Sequence, residues 1–362
     1  MSPTLPTVED ILRPTDLGLY SPIGDFFIDP VRPVPRALIT HGHADHARAG
    51  HSHVMATAET LDIMAVRYGP KFAGARQVAE LGQTITHNAV AISFHPAGHV
   101  LGSAQIALEV GGRKIVVSGD YKRRADPTCR GFEPVPCDVF VTEATFALPV
   151  FVHPPTEEEI GKVLTSLAQF PDRAHLIGAY ALGKAQRVIC ELRAAGYGEV
   201  IYLHGALKRL CNLYERLGVD LGPLAPVTGA KKEAMKGSVV MCPPSALNDR
   251  WSRRVGDAVT AFASGWMRVR ARARQRGVEL PLVISDHADW QELIDTIRDV
   301  SPEALWVTHG SEDALVHYAK GLGIDARPLS LVGYGDDDAE IVGAEVAAGD
   351  DRGNDPETEG AA

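Results

Sequence analysis

Thr40-His41-Gly42-His43-Ala44-Asp45-His46 decides how this chain is read. Four of the seven side chains, those of His41, His43, Asp45 and His46, are of types that bind metal ions. Side chains alternate along an extended segment, so His41 and His43 point to one side, and Asp45 and His46 fall on the turn beyond. One short stretch therefore offers two pairs of ligands to two adjacent positions. The preceding Ala37-Leu38-Ile39-Thr40 reads as a short buried strand that holds the turn rigid. A histidine-rich surface loop is the competing reading. So dense a set of ligands directly after an apolar strand argues against it.

The pattern His-x-His-x-Asp-His in residues 41–46 resembles that of the metallo-β-lactamase superfamily. The resemblance implies an α/β fold, the αβ/βα sandwich, with a dinuclear zinc centre. Lactams, thioesters, phosphodiesters and nucleic acids are all cut on that scaffold, so the motif alone names no substrate.

Outward from the motif, Gly24-Asp-Phe-Phe-Ile-Asp29 reads as a strand ending in a carboxylate. Asp29 matches the first superfamily motif, which would brace the ligand loop; an ordinary turn Asp before Pro30 is the alternative. Ala58–Tyr68 has the spacing of a helix, with Leu61, Met64 and Ala65 on one side. Ala89–Phe94 alternates as a strand and is followed by His95-Pro-Ala-Gly-His99-Val-Leu-Gly102, whose glycines permit a tight loop around His99. Strands at Gln105–Val110 and Lys114–Val117 are joined by the hairpin signal Gly111-Gly112, and the second runs into Ser118-Gly119-Asp120. By the resemblance, His99 and Asp120 complete the first metal site, and Asp120 bridges both ions.

The 362 residues suffice for one large or two ordinary domains, and a 45% hydrophobic composition supports a sizeable core. No run approaches the ~18 apolar residues needed to span a bilayer, and Met1–Asp10 has no signal-peptide pattern. Cys129, Cys137, Cys190, Cys211 and Cys242 are scattered, without Cys-x-x-Cys, which points to reduced thiols in a cytoplasmic protein. The net charge of −10 is uneven: residues 336–362 hold ten acids and one base, leaving the other 335 residues close to neutral. That acidic tail, rich in Gly, Ala and Asp, is expected to be disordered.

After a strand at Asp138–Thr142, which leads into Glu143, the texture changes. Pro149, Pro154 and Pro155 form a linker, and Thr156 with Glu159 reads as a capping box. Strands are expected at His175–Gly178, Val200–Leu203, Ser238–Met241 and Ala258–Ala263. Helices are expected near Glu157–Gln169, Lys184–Ala195 and Ala206–Leu217. This alternation describes an α/β subdomain with a mostly parallel sheet. Leu282–Asp289 and Ala304–Gly310 then return to the texture of a strand delivering a histidine, His287 and His309. The expected organisation is a catalytic core in two parts, 1–146 and 281–332, an insertion at 147–280, and a tail at 333–362.

Glu143, His287 and His309 match in order and context the three extra motifs of the β-CASP nucleases, the nucleic-acid-processing branch of the superfamily. Among bacterial members the chain resembles the ligase-associated DNA exonucleases, in the segments Ala97–Gln105, Ala263–Arg268, Ile284–Trp290 and Trp306–Gly310. The resemblance implies a first metal on His41, His43, His99 and Asp120 and a second on Asp45, His46, Asp120 and His309. Zinc suits such imidazole-rich sites, and manganese can occupy them. Asp45, Glu143 and His287 are the candidate catalytic residues: a pair of ions supplies the nucleophile, and His287, oriented by Glu143, protonates the leaving oxygen. DNA is the implied substrate, in functional association with a DNA ligase and a helicase and with no membrane. RNA is the alternative, which the presence of His309 favours.

Two features could hold a nucleic-acid backbone. Gly178–Lys184 ends a strand and opens a helix, so its amides with Lys184 and Arg187 could bind phosphate; an ordinary strand–helix turn is the competing reading. Arg268-Val-Arg270-Ala-Arg272-Ala-Arg274-Gln-Arg276 suits a polyphosphate track, with a solvated helix face as competitor. Trp266 beside it could stack on a base but is more often core. His51, His53, His87, His95, His153, His175, His204 and His317 match no motif and read as structural or surface residues.

Overall fold

A computed structural model describes residues 6–329, so the acidic stretch expected to be disordered lies outside the described residues. Among the described residues the strands form three main sheets. The first runs in the order Arg13–Thr15, Gly18–Ser21, Phe26–Ile28, Arg36–Leu38, His51–Ala56, Ala73–Val78. The second runs in the order Asp325–Pro328, Ala304–Gly310, Val139–Ala144, Arg113–Val117, Ala104–Val110, Val90–Pro96, Thr84–His87.

Alternation explains why these two sheets stack. Ile28, Leu38 and Met55 from the first share one apolar cluster with Ile92, Ile106, Leu108, Ile115 and Val141 from the second. The intervening Ala107, Val116 and Phe140 point the other way, onto Leu293 and Ile297 of helix Trp290–Val300 and Leu315 and Val316 of helix Glu312–Gly321. Likewise Ala37 and Val54 meet Leu61 and Met64 of helix Ala58–Tyr68. Helix, sheet, sheet and helix are therefore layered as an αβ/βα sandwich. Gly111 and Gly112 form the expected hairpin turn with φ of 60° and 82°, the left-handed pair that matches strand twist.

The third sheet is wholly parallel: Leu224–Pro226, Ile201–Leu203, Val239–Cys242, Ala174–Gly178, Ala258–Ala263, Leu280–Leu282. Helices Thr156–Gln169, Lys184–Ala194 and Gly205–Arg216 cover one face through residues such as Val163, Val188 and Leu207. Ile63 of the sandwich joins that cluster. Its last strand, Leu280–Leu282, straddles the boundary read at residue 280.

Two local readings change. Residues 283–289 are not a strand: the sheet ends at Leu282, and the chain runs irregularly to Asp289, which caps helix Trp290–Val300. Thr156 is not a helix cap either, since Pro155 takes that position. Thr156 Oγ1 instead accepts from Arg187, and Glu159 accepts from the Val283 amide.

Candidate metal centre and cleft

Three parallel strands bring the distant residues together. Arg113–Val117 pairs with Val139–Ala144, which pairs with Ala304–Gly310, all in one direction. Asp120, Glu143 and His309 therefore emerge at one edge, the carboxyl ends of the strands. At the matching edge of the first sheet, parallel strands Phe26–Ile28 and Arg36–Leu38 lead into Asp29 and the 40–46 loop. A bulge aims His309: Glu143 pairs with Thr308 but Ala144 with Gly310, so His309 is the extra residue, at φ 61°.

Asp29 braces the loop. Its carboxylate accepts from the Thr40 amide at 2.8 Å, the Thr40 hydroxyl and His46 Nδ1 at 2.7 Å. The expected bracing role of Asp29 is thus visible in the hydrogen bonds. Thr40, which sequence reading passed over as a strand residue, transmits the brace to His41 through Oγ1, 3.1 Å from His41 Nδ1.

His41, His43, His99 and Asp120 form one buried cluster, and Asp45, His46 and His309 a second, with the candidate ligand atoms in each within 4.8 Å of one another. Asp120 lies between them. Its Oδ2 is 3.4 Å from His41 Nε2, 3.5 Å from His46 Nε2 and 3.8 Å from His99 Nε2, while its Oδ1 is 3.1 Å from His309 Nδ1. Asp45 Oδ2 is 3.5 Å from His46 Nε2 and 3.9 Å from His309 Nε2.

The proton positions follow from the outer partners. His99 Nδ1 lies 2.7 Å from the Asp286 carbonyl, and His43 Nε2 lies 3.3 Å from the Leu182 carbonyl. A carbonyl only accepts, so both these nitrogens carry the proton. The opposite nitrogens, His43 Nδ1 and His99 Nε2, then turn lone pairs toward each other 3.0 Å apart. His41 Nε2 and Asp120 Oδ2 are buried and make no hydrogen bond. Lone pairs converging without a proton between them are repulsive alone and are stabilised by a shared cation, so the residues fit a metal.

The electrostatics agree. Burial holds His41 and His99 well below the usual histidine range, keeping them neutral as ligands must be. Burial also opposes protonation of His46, but Asp45 and Asp120 outweigh it and raise it to about 10. In the same way Asp120 outweighs burial at His309 and lifts it to about 9. The second cluster thus attracts positive charge even without an ion.

Next to these, Glu143 Oε2 is 2.9 Å from His287 Nδ1 and accepts from Thr145 Oγ1 at 2.6 Å, while Oε1 accepts from the Tyr121 amide at 2.8 Å. The His287 ring lies 4.7 Å from that of His99. A cleft of about 480 Å³ opens over the centre, walled on the third-sheet side by Tyr180, Ser264 and Trp266.

The backbone-binding residues divide. Lys184 and Arg187 do not face solvent: they are 4% and 1% exposed and bind interior carbonyls and carboxylates. The Gly183, Ala185 and Arg187 amides are likewise taken, by Gln186 Oε1 and by the Tyr180 and Gly183 carbonyls, so this helix start is no phosphate cradle. Arg268, Arg270 and Arg272, by contrast, are exposed on the turn Gly265–Arg268 and helix Arg270–Arg276. Trp266 is wall rather than an open platform: Arg272 lies 3.8 Å over its ring, and Phe146 and Phe151 pack at 4.8 and 5.3 Å.

Residues 281–327, which include His287 and His309, match the family model described as Zn-dependent metallo-hydrolase RNA specificity domain. The chain is 37% identical over 111 residues to cleavage and polyadenylation specificity factor subunit 3 of Dictyostelium discoideum, covering 30% of this chain and 14% of that protein. The chain belongs to the β-CASP branch of the metallo-β-lactamase superfamily. A longer match, 29% identical over 318 residues, is to a protein named probable DNA ligase from Opitutus terrae, covering 85% of this β-CASP chain and 30% of that protein. Endoribonuclease ysh-1 of Neurospora crassa is 31% identical over 147 residues, 38% of this chain and 17% of that one. The chain thus spans less than a third of the length of these relatives. A crystal structure of a protein of unknown function from Enterococcus faecalis shares the fold, with a TM-score of 0.52 at 12% identity over 75% of this chain and 74% of that one.

Proposed function

We propose that this β-CASP chain is a dinuclear-metal nuclease that hydrolyses phosphodiester bonds in DNA, acting as an exonuclease in repair or processing. The observation that carries the reading is the meeting of two ligand clusters across Asp120 beside the Glu143–His287 pair. His41, His43, His99 and Asp120 would hold one ion; Asp45, His46, Asp120 and His309 the other, with zinc favoured and manganese able to substitute. When bound, such a pair supplies a nucleophile near neutral pH and positive charge opposite the reacting phosphate. The chain's own residues do the rest. Asp45 and Asp120 fix the geometry between the clusters. Glu143 accepts from His287 Nδ1, which stabilises the imidazolium and leaves the Nε2 proton for the leaving oxygen. Exposed Arg268, Arg270 and Arg272 draw the polynucleotide backbone across the Trp266 wall.

DNA is preferred over RNA because the match to the protein named a DNA ligase runs over 85% of this chain, whereas the RNA-processing matches run over 38% or less. The same match supports work alongside a DNA ligase, with a helicase as a further associate. Five free cysteines suit a reducing, cytoplasmic setting. Among the described residues no helix is long and apolar enough to cross a membrane. The second reading, an RNA-processing nuclease, rests on the RNA-specificity description of the matched family model. End-labelled DNA and RNA of one sequence, digested with zinc or manganese and read at nucleotide resolution, decide between them. Stepwise shortening of DNA supports the proposal; cleavage of RNA alone replaces it with the second reading.

A further inference from the structure

Residues 283–289 carry His287 and also orient His99, yet they belong to no sheet. Backbone polar groups buried outside a ladder must find partners elsewhere. Here side chains supply them. The Ile284 carbonyl accepts from Lys184 Nζ at 3.0 Å, and the Ser285 carbonyl from the Arg187 guanidinium. The Asp286 carbonyl accepts from His99 Nδ1 at 2.7 Å, and the His287 carbonyl from the Ser285 hydroxyl at 2.9 Å. Four successive carbonyls are thus pinned, two of them by cations from helix Lys184–Ala194 of the inserted body.

The cations are themselves held. Asp286 lies 3.1 Å from Lys184 Nζ and 3.2 Å from Arg187 Nη1. Arg187 also donates to Thr156 Oγ1 at 2.9 Å and lies 3.7 Å from Asp126. Asp126 accepts from Lys122 at 2.7 Å, and Lys122 donates to the carbonyls of Gly98 and His99. The helix also approaches closely: a Cβ at Gly183 would sit 2.3 Å from Val100 and 3.7 Å from Asp286.

Building on the nuclease reading, we propose that Arg187 and Lys184 are positioning residues that set His287 against the leaving oxygen by clamping the 284–287 carbonyls. The peptide between Asp286 and His287 ties this clamp to His99 on one side and to the proton donor on the other. The inserted body is then a part of the catalytic geometry as well as a cover for the cleft.

The test uses Arg187→Lys, which keeps the charge but loses the reach to Ser285 and Thr156, and Lys184→Met, in the full chain. Each is assayed on an oligonucleotide and on thymidine 5′-(p-nitrophenyl phosphate), whose leaving group departs without a proton. Zinc content and far-UV circular dichroism are read in parallel. A displaced proton donor lowers kcat on the oligonucleotide about tenfold or more but leaves the nitrophenyl ester within about twofold, with zinc content unchanged. Equal losses on both substrates, no loss on either, or lost fold or zinc in both variants overturns the proposal. Wild-type protein inactive on both substrates overturns the nuclease reading itself.

Discussion

On one side of His99 lie the histidines and carboxylates of the metal centre; on the other lie Lys122, Asp126, Arg187, Asp286 and Lys184. Both groups are buried and charged. In the first, His41 Nε2 and Asp120 Oδ2 end in no hydrogen bond. In the second, cations alternate with carboxylates and backbone carbonyls, as in Lys122–Asp126 at 2.7 Å and Lys184–Asp286 at 3.1 Å. Even Arg187 Nε, which makes no hydrogen bond, faces the carboxylates of Asp126 and Glu191 at 3.7 Å. Buried charge closed on itself supports the fold, whereas buried lone pairs aimed at a common point await a ligand. That contrast sorts two sets of residues that composition alone cannot tell apart.

The largest break of the comparison is His43→Ala. Nuclease activity is expected to vanish and bound zinc to fall, while the melting temperature of the metal-stripped chain stays within a few degrees. The contacts among Lys122, Asp126, Arg187, Asp286 and Lys184 are untouched, and the hydrogen bond lost to the Leu182 carbonyl is a long one at 3.3 Å. His287→Ala should slow cleavage by ~10²–10⁴-fold with zinc content intact, measured by kcat and metal analysis side by side. Lys122→Met acts on the other cluster. It leaves Asp126 buried without its nearest cation, and chemical denaturation should show a loss of about 3–5 kcal/mol.

Proton release sharpens the contrast further. Asp45 and Asp120 raise His46 to about 10, and Asp120 raises His309 to about 9, so both are protonated at pH 7 in the metal-free chain. An ion must displace those protons. Zinc binding therefore weakens as pH falls, and calorimetry in buffers of different ionisation enthalpy should find about two protons released near pH 7. The smallest effect is Arg270→Ala: it is exposed, so affinity for long substrates should drop modestly and the salt slope should fall by about one, with the nitrophenyl ester unaffected.

In the 40–46 stretch the candidate ligands were legible because they follow a short apolar strand, a local pattern that survives without knowledge of the fold. His99, Asp120 and His309, in contrast, were picked out by the resemblance and are brought to the same clusters by the fold. The α/β alternation of the inserted body was legible from local hydrophobic pattern, with helix Lys184–Ala194 within one residue of its reading and strand Ala258–Ala263 as read. Long-range facts were not. Arg187 looks like any basic residue opening a helix until Asp126 and Asp286, far along the chain, fold against it. Val283 and Ile284 have the composition of a strand, but the sheet edge has already ended at Leu282. The aim of His309 depends on a bulge set by the register against Glu143 and Ala144, which no single segment encodes.

Zinc titration into the metal-stripped chain, with cleavage of end-labelled DNA followed at each addition, tests the two-cluster centre most directly. Activity is predicted to be absent at the start and to rise as about two ions bind per chain. Undiminished cleavage by the stripped chain in excess chelator would contradict the account.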